Sequence, residues 1–126
     1  MRAIVTGNRT WTNEGAVREA LRALPEASTV VHGGCPTGAD AIADRLARSM
    51  GHVPEIHPAE WHAHGPAAGP IRNQAMVDLG ADVCLAFGEL QRMKRGKMRN
   101  TGTGDCADRC RKAGIRVVHC ASGGAP

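Results

Sequence analysis

Residues 28–50 read STVVHGGCPTGADAIADRLARSM, and this stretch decides the fold. A β-rich apolar run ends in glycines and passes directly into a segment of helical period. Ala39, Ile42, Ala43, Leu46 and Met50 share one face of that segment, and Gly51 supplies its stop. Strand, glycine turn and helix therefore follow one another without a linker. The same order appears on both sides. AIVTG (3–7) predicts a strand, and residues 13–24 predict a helix with Val17, Ala20, Leu21 and Leu24 inward and Pro25 as its end. HVPEIHP (52–58) predicts a weaker strand, demoted by its prolines. Residues 59–69 predict a loop and 70–80 a helix, with Pro70 near its first turn. ADVCLAF (81–87) is the most continuous apolar run, as expected when both faces of a strand are covered. Residues 88–101 predict a long polar loop, 103–114 a helix and IRVVHC (115–120) a fifth strand.

Five strands alternating with helices predict a single three-layer α/β domain over residues 1–120. Its core is a five-stranded parallel sheet with helices on both faces, followed by a flexible tail at 121–126. Sheets of this class take ligands at the carboxyl ends of their strands, where strand order reverses. That places the expected site at Gly7-Asn8-Arg9, at residues 33–38 and at residues 99–105.

Composition narrows the classes. The chain has 126 residues, enough for one domain, and 42% of them are hydrophobic, which argues against disorder. No apolar run reaches the ~18–20 residues of a membrane helix, and no signal-peptide pattern opens the chain, so a cytoplasmic protein is expected. The formal charge is +4. Residues 89–99 (ELQRMKRGKMR) alone carry five bases and one acid; the rest carries eleven of each and sums to zero. Aromatics are confined to Trp11, Trp61 and Phe87, which weakens any model built on rows of stacked bases. The five cysteines read as reduced thiols and Cys84 as core. Cys106 and Cys110, four apart, with His119 and Cys120 nearby, suggest zinc only weakly, because no paired CxxC spacing is present. No metal and no cofactor are expected.

HGGCPTGAD (32–40) sets three glycines and a threonine between a buried strand and a helix start. Glycine backbone approaches an anion closely, and the helix that follows offers unpaired N–H groups, so a phosphate cradle is expected over Gly33, Gly34, Thr37, Gly38 and Asp40. It is neither GxxxxGK[ST] nor GxGxxG. NTGTGD (100–105) repeats the arrangement, with Thr101, Gly102 and Thr103 before the next helix. Two such bends on neighbouring strand ends suit a ligand with more than one anionic or polar group. Gly7 ends the first strand. Arg9 and Arg72 are placed to grip phosphate bidentately, and Asn73 stands beside them. Asp105, in the first helical turn, fits either a ribose hydroxyl or a capping, dipole-matching role at the helix start. Trp61 could stack on a purine or anchor its loop, and His64 could act as an acid or base. The basic run Arg92, Lys94, Arg95, Lys97 and Arg99 reads as a solvated loop, a nucleic-acid contact or a lid over an anion.

These blocks resemble the SLOG superfamily of Rossmann-like proteins, and within it the YspA-type, cpYpsA-related group. The resemblance spans about residues 1–120. It is carried by RAIVTGNRTWT, VHGGCPTGADAIADRLA, HPAEWHAHGPAAGPIRNQAMV and GTGDCADRCRKAGIRVV. It implies a compact Rossmann-like sheet and a pocket for a nucleotide or nucleotide derivative such as AMP, ADP-ribose or NAD. Relatives of the LOG type hydrolyse the N-glycosidic bond of nucleoside monophosphates, and DNA-processing protein A binds single-stranded DNA on the same fold. On that pattern Arg72 and Asp105 are the catalytic candidates. The LOG carboxylate position is filled here by Cys106, and Arg99 and Asn100 stand where the family has glycines. Phosphate binding therefore carries over more readily than hydrolysis. Nucleotide binding is the first reading, an N-glycosidase the second, and a nucleic-acid module using 92–99 the third. A homodimer is expected by analogy with relatives, and the arginine-rich composition points to a bacterial or phage source.

Overall fold

The alternation of apolar runs and amphipathic segments produces the expected layers. In the computed structural model, which describes residues 1–121, five parallel strands form one sheet in the order β3-β2-β1-β4-β7. They are β1 (Arg2–Gly7), β2 (Thr29–His32), β3 (Val53–Ile56), β4 (Val83–Phe87) and β7 (Arg116–Cys120). The long helices are α1 (Glu14–Arg22), α2 (Gly38–Ser49), α4 (Ala68–Asp78) and α5 (Gly102–Lys112). The expected tail at 121–126 lies outside the described residues apart from Ala121. Among the described residues no helix is long and apolar enough to cross a membrane.

The two-residue period of β1 assigns its side chains to opposite faces. Ala3 and Val5 point to one side, where Val17, Leu21, Ala43 and Leu46 of α1 and α2 cover them. Ile4 points to the other, against Met76 and Val77 of α4 and Cys106 and Cys110 of α5. β4 is buried along its whole length, as its continuous apolar run predicts. β3 is an edge strand, which is why it tolerates Pro54. Arg2, at the start of β1, ties that edge down: its guanidinium donates two 2.9 Å hydrogen bonds to Glu55 of β3 and one to the Gly80 carbonyl.

Two segments differ from the sequence expectation. Within residues 59–69 a short helix, α3 (Trp61–His64), and a 3-10 turn (Gly65–Ala67) stand where a loop is expected. Residues 88–101 are not a loop. They fold into an antiparallel hairpin, β5 (Gln91–Lys94) and β6 (Lys97–Asn100), joined by the two-residue turn Arg95-Gly96 with φ of 51° and 75°. Two successive positive φ values are those of a type I′ turn, whose twist matches the flanking strands. Both strands are exposed throughout, so no buried apolar face marks them in the sequence.

Candidate functional site

The sheet order reverses between β1 and β4, because β1 is followed on one side by β2 and on the other by β4. At the carboxyl ends of these strands lies an open crevice of about 1240 Å³. It contains the β1 end, both glycine-bearing bends, Trp61, Arg72, Asn73 and the basic hairpin. Apart from Gly38 and Gly104, the residues that sequence reasoning placed at three separate strand ends line this one cavity.

The packing at its floor depends on absent side chains. A Cβ on Gly7 would stand 2.3 Å from the Cβ of Ala39, so glycine lets α2 approach the end of β1. Gly38 has φ of +73°, and a Cβ there would lie 2.3 Å from the Asn8 carbonyl oxygen and 2.7 Å from the Arg9 Cα. This contact clamps the β1–α1 loop onto the start of α2, and the Ala39 N–H donates to the Asn8 carbonyl at 3.3 Å. Gly104, one turn into α5, likewise admits the Leu90 carbonyl at the root of the hairpin. Sequence reasoning placed Asn8 and Gly104 at the expected site but gave them no part in the packing. The glycine spacing of GTG was the available signal for the second.

The first bend is organised differently from the expected cradle. The amide of Gly34 donates to His32 Nδ1 at 3.0 Å, and the Cys35 amide donates to Asp40 Oδ2 at 3.3 Å. Asp40 also accepts from the Gly33 backbone. The amides of Gly33, Gly34 and Cys35 therefore face the protein, which corrects the expectation that Gly33 and Gly34 present theirs to a ligand. Gly33 is small for another reason: a Cβ there would overlap the Arg72 guanidinium. Because His32 Nδ1 accepts, its Nε2 carries the proton and donates to Asp44 at 2.7 Å. Asp44 is held below the usual carboxylate range, first by Arg48 and also by His32. Burial pushes the Asp40 carboxyl up, against His32, the loop amides and Arg72. Asp40 thus shapes the turn from behind it. The unpaired donors move one step along the chain, to the amides of Thr37 and Gly38, where α2 begins and Thr37 makes no side-chain cap.

The second bend repeats this economy. The Thr101 hydroxyl is spent inside the protein: it accepts from the Gly104 amide at 3.0 Å and lies 2.5 Å from the Glu89 carbonyl, to which it donates. The Thr103 hydroxyl donates to Asn8 Oδ1 at 3.1 Å and so joins the second bend to the end of β1. The amides of Gly102 and Thr103, in the first turn of α5, have no partner among the described residues. Two helix starts, each with free N–H groups and a partial positive charge, open onto one cavity.

Arg72 and Asp105 are both committed to a chain of contacts. Arg72 donates to the Gly33 and His57 carbonyls at 3.0 and 3.2 Å and to Asn73 Oδ1 at 2.9 Å. Asn73, nearly fully buried, donates to Asp105 Oδ2 at 3.0 Å, and Arg109 donates to the same oxygen at 2.9 Å. This row ties β2, α4 and α5 together along the wall of the crevice. Arg9, by contrast, is exposed and has no protein partner among the described residues. Trp61 is 49% exposed on α3 and lines the crevice, whereas His62 and His64 do not.

The hairpin supplies the remaining charge. Its register sets Arg92 opposite Arg99 and Lys94 opposite Lys97, so four cations share one face as two like-charged pairs. Like charges directly opposed destabilise a hairpin. Among the described residues, Arg92 is relieved only by Glu89, at 3.5 Å. Arg92, Lys94 and Arg99 all border the crevice.

The profile of the family described as YspA, cpYpsA-related SLOG matches residues 1–64, which hold β1, the first bend and α2. Gene 61 protein of Mycobacterium phage D29 is 42% identical over 127 aligned positions, covering 94% of each chain.

Proposed function

The chain belongs to the YspA, cpYpsA-related SLOG family, and from that premise we propose that it binds a nucleotide or nucleotide-derived ligand in the crevice at the carboxyl ends of β1, β2 and β4. One observation carries the reading. The unpaired amides at the starts of α2 and α5 open on the same cavity, with the unpartnered Arg9 at its rim. Thr37 and Gly38 hold one phosphate, and Gly102 and Thr103 hold a second phosphate or a ribose oxygen. Arg9 neutralises the charge. Trp61 offers a half-exposed indole for the base. The hairpin cations ask for more negative charge than one phosphate provides, so a ligand of the ADP-ribose or NAD type suits the crevice better than AMP.

Binding is favoured over N-glycosidic hydrolysis by the state of the two catalytic candidates. Arg72 donates to three protein oxygens, and Asp105 Oδ2 accepts from both Asn73 and Arg109. Both line the crevice, but each is held in contacts within the protein. Titration calorimetry against AMP, ADP-ribose, NAD and cyclic ADP-ribose tests the proposal. One of these binds at micromolar concentration, and Arg9→Ala weakens it roughly ten- to hundredfold, the value of a charge-assisted hydrogen bond. Absence of heat for all four at millimolar ligand removes the reading.

A further inference from the structure

Below the crevice floor, on the face of the sheet covered by α4 and α5, three cysteines converge. Cys84 comes from β4, and Cys106 and Cys110 lie one turn apart on the inward side of α5. All three are fully buried, and their sulfur atoms lie within 4.8 Å of one another. Ile4, Val31, Met76 and Ile115 surround them. The three sulfurs are close enough to share one ion, and Thr6 of β1 lies beside Cys106. Sequence spacing pointed instead to His119 and Cys120 as companions of Cys106 and Cys110. The register explains the difference. Cys84 pairs with Val117 on β7, so Val117 meets the cluster, while His119 bonds the Gly88 carbonyl at 2.7 Å and Cys120 packs on the opposite face.

We propose that Cys84, Cys106 and Cys110 form a structural site for a zinc ion, with three thiolate ligands and an oxygen donor on the Thr6 side. Zn–S bonds of about 2.3 Å put sulfurs on a tetrahedral ion about 3.8 Å apart, within the spread seen here. Two ligands at i, i+4 on one helix face, with a third from a facing element, is a spacing that zinc sites use. Filling a core with alkyl groups would need no sulfur and would leave no S–H to satisfy. A soft, all-sulfur set in an apolar shell selects a thiophilic ion over magnesium or calcium. On binding, each thiol releases its proton, so one Zn²⁺ displaces three protons and leaves a single net negative charge. Arg111, near Cys110, partly offsets that charge. Thr6 lies beside Cys106, so its hydroxyl completes the tetrahedron. Because the sulfurs are sealed from solvent, the ion enters as the chain folds and stabilises the folded state only.

The test uses the full chain, refolded under reducing conditions with and without one equivalent of ZnCl₂ or CoCl₂. Native mass spectrometry is expected to show one zinc per chain. The cobalt form is expected to show thiolate-to-cobalt charge-transfer absorption, with X-ray absorption counting three sulfur neighbours. Free zinc at a hundredfold excess over Kd should raise Tm on the order of 10 °C. Cys84→Ser, Cys106→Ser and Cys110→Ser should each lose the charge-transfer band, whereas Cys120→Ala keeps it. If the serine variants do not fold, the sulfur count on the wild-type protein decides alone. The proposal is overturned by an apo mass and no charge transfer in folded, reduced protein. It is equally overturned by metal that persists in the folded serine variants, or by a mass two hydrogens short that shows a disulfide within the cluster.

Discussion

Gly38→Ala is expected to be strongly destabilising, and its cost can be worked from two separate effects. The backbone at Gly38 has φ of +73°, a conformation that costs an L-residue about 1–2 kcal/mol. The new Cβ would also stand 2.3 Å from the Asn8 carbonyl oxygen and 2.6–2.7 Å from Arg9 backbone atoms. These are main-chain atoms that cannot rotate away, so the β1–α1 loop must lift, at about 1–3 kcal/mol for overpacking. Alanine returns about 0.4–1 kcal/mol by stiffening the unfolded chain. The net loss is about 2–4 kcal/mol. Gly51→Ala provides the control, because its φ is +80° and nothing lies within 4 Å of its Cβ. That variant loses roughly 1 kcal/mol from conformation alone. Urea denaturation of both variants isolates the clamp between Asn8-Arg9 and α2 as their difference. Thermal melts should show a fall of about 10 °C for Gly38→Ala and about 3 °C for Gly51→Ala. Stabilities within 0.5 kcal/mol of each other would refute the close-approach argument.

Three further outcomes follow from named contacts. Gly33→Ala drives a Cβ into the flexible end of Arg72 rather than into backbone, so the chain folds but loses the Arg72 bonds to the Gly33 and His57 carbonyls, about 1–2 kcal/mol. In an Arg72→Ala background the same change is nearly silent, and a double-mutant cycle in urea that comes out additive contradicts it. Glu55 is held at about 2, below its ordinary value of 4.5, first by Arg2 and then by His57. A lowered folded value gives stability that is present above 4.5 and is lost as pH falls toward 2. With both side chains about a third exposed, Glu55→Gln should cost only about 1 kcal/mol at pH 7, and the gap should shrink below pH 4.5; a gap that is constant with pH removes the ion pair as its cause. Replacing Arg92, Lys94 and Arg99 together by Gln relieves the opposed cations of the hairpin, so Tm should hold within about 2 °C. The same variant should bind an anionic ligand more weakly and with a flatter salt dependence, which calorimetry at two ionic strengths reads directly.

The five-stranded layer was legible because its evidence is local. Val30-Val31, the run 83–87 and the Ala39–Ala43–Leu46 stripe each state their burial within a few residues, and glycines mark their ends. The hairpin was illegible to the same reasoning for a physical reason. β5 and β6 bury nothing, so their alternation of Met93 and Met98 with Arg and Lys has no core to answer to and resembles a solvated loop. Its one local signal was Arg95-Gly96, a dipeptide less diagnostic of a tight turn than Asn-Gly.

The site divides in the same way. Which residues gather at the crevice followed from topology, since strand ends in a parallel sheet must meet at one rim. Which atoms are free there did not, because that depends on partners distant in sequence. Gly34 loses its amide to a histidine two residues back, but Thr103 spends its hydroxyl on Asn8, ninety-five residues away. Arg72 is held by carbonyls fifteen and thirty-nine residues away. An arginine in a glycine-rich neighbourhood reads in sequence as a phosphate ligand, and here the absence of a Cβ at Gly33 makes room for its guanidinium inside the wall. Arg9, marked in the same way by its place after Gly7, is exposed and has no protein partner among the described residues. The difference between a structural and a ligand-binding arginine thus rests on carbonyl positions that only the folded chain fixes. Arg9→Ala should therefore weaken an anionic ligand without moving Tm, whereas Arg72→Ala should lower both stability and affinity.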